Sequence, residues 1–185
     1  MLHLASKSPR RRELLRMLGL EFGILDLDLP EMPVPGELPE DYVRRVAREK
    51  AGAGLLHVVG QPEAVVLGAD TEVVLDGRIY GKPVDADDAA AMLRTLSGRT
   101  HAVISALSMI SAGRELQAVS VSEVTFAPMS EADIRDYLVT GEWDGKAGAY
   151  AIQGVAQSFI SHLSGSYSGV MGLPLHETAA LLKQF

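Results

Sequence analysis

The sequence predicts a mixed α/β fold with a substantial antiparallel component, and three observations predict it. The chain opens as a short apolar strand, a polar loop and an amphipathic helix, over Leu2–Ala5, Ser6–Ser8 and Pro9 onward. Ala64–Gly68 is an apolar, β-branched run of the kind that forms a buried strand. A strong hairpin signal follows at Asp76-Gly77, and alternating residues on both sides of Gly113-Arg114 suggest two long antiparallel strands.

The elements follow in order. Ser8 reads as an N-cap and Pro9 as the first helical residue, with Glu13–Leu18 continuing the helix until Gly19 stops it. Arg10, Arg11 and Arg12 therefore crowd the positive pole of the helix, where cations are disfavoured by roughly 0.3–1 kcal/mol each. An anion such as phosphate would reverse that cost, because free backbone N–H groups point outward there. The plain alternative is a solvated basic turn. Phe22–Leu29 reads as a second strand, and the proline-rich stretch Pro30–Pro39 as a loop. Glu40 and Asp41 open a helix with Tyr42, Val43, Val46, Ala47 and Leu55 on its apolar face. Lys50 falls on that face too, either snorkelling to its edge or aimed at an anion.

Ala64–Gly68 ends in Ala69-Asp70-Thr71, which places Asp70 at the C-terminal end of a strand. A carboxylate there can bind Mg²⁺ or take a proton from water; a turn or capping role is the alternative. Glu72–Leu75 and Arg78–Tyr80 form the first hairpin. Gly81-Lys82-Pro83 then holds a lysine between two residues that restrict the backbone, as a point charge for phosphate or a solvent-facing turn. Asp85, Asp87 and Asp88 start a helix that runs to Ser97-Gly98, after which Arg99 or His101 is expected to be exposed. His101–Ile110 and Glu115–Phe126 are two long antiparallel strands. Ser130 caps a helix ending at Gly141, Phe159–Leu163 is a strand, Ser164–Ser168 reads as loop, and Pro174–Leu182 is a closing helix. Between them, Lys146–Gly154 is rich in small residues that permit close approach to a flat ligand. Gln153 there carries an amide able to read a base edge, with tight packing as the alternative.

Composition narrows the function. The 185 residues are 47% hydrophobic and 22% charged with a net charge of −7, which fits a folded globular chain. That charge disfavours nucleic acid, whose backbone wants a broad positive face, and suits a small polyanion held by a local basic cluster. There are no cysteines, which rules out disulfides and thiolate chemistry and agrees with a cytoplasmic location. No signal peptide or membrane span is evident, so no membrane partner is expected. The five histidines lack ligand spacing, and neither a phosphate-binding P-loop nor a nucleophile elbow is present. No repeat or linker divides residues 1–185.

Taken together, Ser6–Leu15, Ala69-Asp70-Thr71, Gly81-Lys82-Pro83, Leu96–His101, Lys146–Gly154 and Gly172–Leu175 resemble the Maf family of nucleoside triphosphate pyrophosphatases. The resemblance implies a single domain similar to inosine triphosphatases, with an elongated curved mixed sheet flanked by helices, two lobes around a central cleft, and commonly a homodimer. It implies hydrolysis of a nucleoside triphosphate to monophosphate and pyrophosphate with Mg²⁺ or Mn²⁺. Asp70 is then the proton acceptor and, with Glu31, a metal ligand. Arg12, Thr71 and Gln153 would set base preference, while Ser8, Arg11, Lys50 and Lys82 would hold phosphates. The segment Ala149–Gly154 resembles the branch acting on dTTP and UTP, and the sister branch acts on 7-methyl-GTP. A binder without turnover, linked to septum formation, is a further alternative. Two positions depart from the family pattern: Gly145 stands where an aspartate is frequent, and Glu31 lies between Pro30 and Met32.

Overall fold

The computed structural model describes residues 1–185. Seven strands form one mixed sheet of order β2-β1-β3-β5-β6-β7, with β4 paired to β3. β1 (Leu2–Ala5) runs parallel to β2 (Phe22–Leu25) and to β3 (Val65–Leu75). β4 (Arg78–Tyr80), β5 (Thr100–Ser111), β6 (Arg114–Phe126) and β7 (Ile160–Ser164) make antiparallel pairs. The turn from β3 to β4 is made by Asp76 and Gly77 with φ of 52° and 75°, the paired positive values that a two-residue hairpin requires.

One helix, α2 (Pro39–His57), covers one face of the sheet and buries Tyr42, Val43, Val46 and Ala47 against Ile104 and Ala106. The other face carries the main core. There α1 (Pro9–Arg16), α3 (Ala86–Leu96), α4 (Glu131–Val139), α5 (Tyr167–Met171) and α6 (Leu175–Leu182) all contribute buried side chains. Capping follows the sequence. Ser8 Oγ accepts from the Arg11 N–H, Asp85 from the Asp88 N–H, and Ser130 and Asp133 form a reciprocal capping box.

Several elements differ from the sequence reading. The second strand ends at Leu25, and Asp26 and Asp28 beyond it pair with Lys7. Ser166 caps the short helix α5 where the sequence reads as loop. Of the two residues after the helix stop, Arg99 is the exposed one and pairs with Asp76; His101 is buried, and its Nε2 lies 2.8 Å from the Tyr150 hydroxyl. It sits edge-on to Phe126 and Tyr150 in an aromatic cluster that anchors residues 150–153. The largest difference lies in β3, a single continuous strand of 11 residues with Asp70 at its middle rather than at its end. β5 pairs with it from Val66 to Val74 and sustains it through the polar Asp70-Thr71-Glu72.

Two predictions concern this framework. A Cβ on Gly68 would lie 2.3 Å from the Ala47 carbonyl oxygen and 2.5 Å from the Ala51 nitrogen, so α2 rests directly on the strand backbone. Gly68→Ala must push the helix away; a loss of about 3 kcal/mol in urea unfolding is expected, at the upper end of overpacking costs. His101 provides a pH signature, because burial pushes its imidazole from 6.5 down to about 4. Above pH 6.5 the ring is neutral in both folded and unfolded chains. As pH falls below that value the unfolded chain takes up a proton that the folded chain refuses, until the pH reaches about 4. Stability is therefore lost across that window, by roughly 3 kcal/mol. Urea midpoints measured at several pH values should fall more steeply for the native chain than for His101→Gln; parallel curves would contradict the assignment.

Candidate active site

β3 changes neighbours along one edge. Its pairing with β1 stops at Gly68 and its pairing with β4 begins at Val73. Residues 69–72 therefore have β5 on one side and no strand on the other, and a cleft of about 440 Å³ opens at this gap. The volume lies in the range of small-molecule sites. Because strand side chains alternate, the gap presents two chemistries, with Asp70 and Glu72 on the α2 face and Thr71 on the opposite face.

On the α2 face, the close seat of the helix over Gly68 brings Lys50 across to Asp70. Lys50 Nζ lies 2.8 Å from Asp70 Oδ1 and 2.7 Å from Glu31 Oε1, and Lys82 Nζ lies 3.2 Å from Glu31 Oε2. Burial works against the charge on Glu31, but Lys50 and Lys82 outweigh it and hold the carboxyl below its usual range. Lys50 and Asp70 are nearly sequestered, with side chains 11% and 4% exposed. The other Asp70 oxygen, Oδ2, is buried with no partner. Glu72 is buried beside it and makes no ion pair. Burial, then Asp70 and Glu31, push its carboxyl up to about 8.

On the opposite face, α1 meets the C-terminal end of α5. Arg10 Nε donates to the Met171 carbonyl at 3.2 Å and Arg11 Nε to that of Gly172 at 2.8 Å. The carbonyl pole of α5 offsets part of the repulsion at the start of α1. Burial, then Arg11, pulls the Arg10 guanidinium down; burial does the same to Arg11, against Asp70, Glu31 and Glu72. Arg11 Nη2 also donates to Thr71 Oγ1 at 3.3 Å. Thr71 Oγ1 lies 2.8 Å from Ser105 Oγ, which donates in turn to the Gly169 carbonyl at 2.6 Å. With the Ser105 proton so used, the Thr71 hydroxyl donates to Ser105 or to the Gly172 carbonyl, 3.4 Å away.

The structure brings Ser8, Arg11, Glu31, Lys50, Asp70, Thr71, Lys82 and Gln153 to the cleft lining. Arg12 is not among the lining residues; it is half-buried, and its Nε has no hydrogen-bond partner. Arg10 lines the cleft in its place. Ser8 Oγ is engaged in capping α1. Gln153 sits on a loop held by the Ala151 N–H, which donates to Tyr137 Oη at 3.2 Å, and its Oε1 is buried without a partner. Gly145 adjoins Asp144, which itself lines the cleft one position before the place where the family often has its aspartate. The sequence reading missed Glu72 and Ser105. The available signal was two carboxylates spaced two apart inside an otherwise apolar strand, and a serine opposite Thr71 in the β3–β5 register.

No three His, Cys, Asp or Glu side chains gather into a metal cage. Mg²⁺ does not need one, since it keeps several waters and is held by one or two carboxylates together with substrate phosphates. The orphaned Asp70 Oδ2 and the all-oxygen donor set fit such an ion. No helix is long and apolar enough to cross a membrane.

The chain is 59% identical over 187 residues to the dTTP/UTP pyrophosphatase of Xanthomonas euvesicatoria pv. vesicatoria, covering 100% of this chain and 98% of the relative. It is 57% identical over 186 residues to the nucleoside triphosphate pyrophosphatase of Xylella fastidiosa strain M23, with the same coverage of 100% and 98%. A crystal structure of a nucleoside-triphosphatase / dITP/XTP pyrophosphatase from Mycobacterium abscessus superposes with a TM-score of 0.48 at 18% identity, covering 99% of this chain and 95% of that one. The Maf-like protein family model matches residues 1–185. The chain belongs to the Maf-like family.

Proposed function

We propose that the chain hydrolyses dTTP and UTP to the nucleoside monophosphate and pyrophosphate. The observation that carries this reading is the meeting, in one cleft, of a basic helix start with a buried lysine–aspartate pair on an unpaired strand edge. The names of the full-length relatives support the substrate class.

In this reading the triphosphate tail lies against Arg10, Arg11, Lys50 and Lys82, with the first-turn N–H groups of α1 adding donors. Asp70 accepts the proton of a water whose oxygen joins the α-phosphorus. The bond from that phosphorus to the bridging oxygen breaks, and pyrophosphate leaves with its charge held by the basic cluster. Positioning and charge neutralisation supply most of the rate. A divalent cation held at Asp70 would neutralise phosphate charge and lower the pKa of attacking water. Glu31 is its expected second ligand from the sequence, although both Glu31 oxygens face lysines. The Gln153 amide, with one acceptor free, is suited to the edge of a pyrimidine. The family resemblance supports a homodimer, and the lack of cysteine supports a reducing cytoplasmic compartment.

The test is a panel of nucleoside triphosphates with pyrophosphate detection in Mg²⁺ and in Mn²⁺. dTTP and UTP should exceed dATP, dGTP and 7-methyl-GTP by at least tenfold in kcat/KM. Preferred turnover of 7-methyl-GTP would overturn the base assignment, and binding without pyrophosphate release would overturn the enzymatic reading.

A further inference from the structure

We propose that Glu72 is a ligand of the divalent cation and forms, with Asp70, the protein's half of the coordination sphere. The inference rests on the divalent-cation dependence of the proposed reaction and assigns a residue that neither the sequence reading nor the family resemblance singled out.

Five acids line the cleft; Asp28 pairs with Lys7 and Asp144 is exposed, which leaves Glu31, Asp70 and Glu72 as the three withdrawn from solvent. Both Glu31 oxygens are engaged by lysines, and Asp70 Oδ1 faces Lys50. Asp70 Oδ2 and Glu72 Oε2 are left, each buried and each without a hydrogen-bond partner. The residues carrying them are 3% and 7% exposed. A buried carboxylate oxygen without a donor costs on the order of 1–3 kcal/mol or more, and a divalent cation is a partner that both oxygens could accept.

Geometry favours one shared ion. Asp70 and Glu72 are two apart on one strand, so their side chains leave the same face with Cα atoms about 6.6 Å apart. They sit at the stretch of β3 that lacks a neighbour on one edge, where an ion and its waters can enter. Gly81 has no side chain, and a Cβ built there would lie 3.8 Å from Glu72 Oε2. Two carboxylates, waters and phosphate oxygens make the hard, all-oxygen set that Mg²⁺ and Mn²⁺ prefer.

The experiment uses the intact chain and Mn²⁺ alone, without nucleotide. Mn²⁺ affinity is read by electron paramagnetic resonance, with Mg²⁺ as competitor and thermal unfolding as a second readout. The native chain should bind about one Mn²⁺ and be stabilised by it. Glu72→Gln should lose at least tenfold in Mn²⁺ affinity and lose the Mn²⁺-dependent rise in Tm, while its metal-free Tm equals or exceeds that of the native chain. Glu31→Gln should lose less affinity than Glu72→Gln. Unchanged Mn²⁺ affinity in Glu72→Gln, a larger loss in Glu31→Gln, or no nucleotide-free Mn²⁺ binding by the native chain would each overturn the assignment. A metal-free Glu72→Gln that fails to fold would also overturn it, because the carboxylate would then be structural. Pyrophosphate release by the native chain, assayed in parallel, separates the two readings. Turnover with unaltered metal binding in Glu72→Gln defeats only the ligand assignment. The expected binding pattern without turnover defeats only the proposed reaction.

Discussion

Asp70→Asn should lower kcat for dTTP by about 10³-fold or more while the protein stays folded. The expected size follows from the role. A positioned general base contributes typically 10²–10⁴-fold, and the same carboxylate is the proposed anchor of the cation. The expected retention of fold follows from the surroundings. Lys50 keeps Glu31 as a partner at 2.7 Å, so the amide does not strand a buried ammonium. Removing one of two neighbouring acids also relieves the pressure on Glu72. The thermal midpoint should stay within a few degrees of the native value, and dTTP binding by calorimetry should persist. A kcat within tenfold of the native enzyme would remove Asp70 from the chemistry.

Lys50→Met should be the most damaging single change to stability among the cleft residues. Lys50 bridges two carboxylates, and the pair with Asp70 is almost fully shielded from water. Breaking a buried pair from one side typically costs about 3–5 kcal/mol, because the remaining charge loses its partner without regaining solvent. Methionine keeps the apolar stem against α2's inner face, so the loss reports on charge rather than on packing. Urea unfolding at neutral pH should show a deficit of about 3 kcal/mol, together with a large rise in KM for dTTP. A variant as stable as the native chain would mean that the Lys50 pairs with Asp70 and Glu31 contribute no net stability. By contrast, Arg48→Ala removes an exposed pair with Glu115 and should change stability by less than about 1 kcal/mol.

Much of this architecture is legible in the sequence because its signals are local. The Ser8 cap, the Asp85 helix start, the Ser130 cap and the Asp76-Gly77 turn each depend on a few adjacent residues, and each forms where the sequence places it. Lys50 is recognisable because a cation on the apolar face of a long helix has no local reason to be there. The continuity of β3 is not local. Ala69-Asp70-Thr71 reads as a strand end, yet β5 supplies a ladder through it from the far side. The polarity that suggests a turn marks instead the unpaired edge that forms the site. α5 is only five residues long, too short to show helical periodicity, so its carbonyl end could not be foreseen as the seat of Arg10 and Arg11. The three consecutive arginines show the same limit. Their crowding is visible in the sequence, but helix geometry turns Arg10 and Arg11 toward the cleft and leaves Arg12 off its lining.

The central claim is that water, deprotonated at Asp70, attacks the α-phosphorus of a pyrimidine nucleoside triphosphate whose tail is held by the basic helix start. Hydrolysis of dTTP in ¹⁸O-labelled water, with the products resolved by mass spectrometry, tests it most directly. The account predicts equimolar dTMP and pyrophosphate with the label in dTMP alone. Label in pyrophosphate, or dTDP and orthophosphate as products, would contradict it.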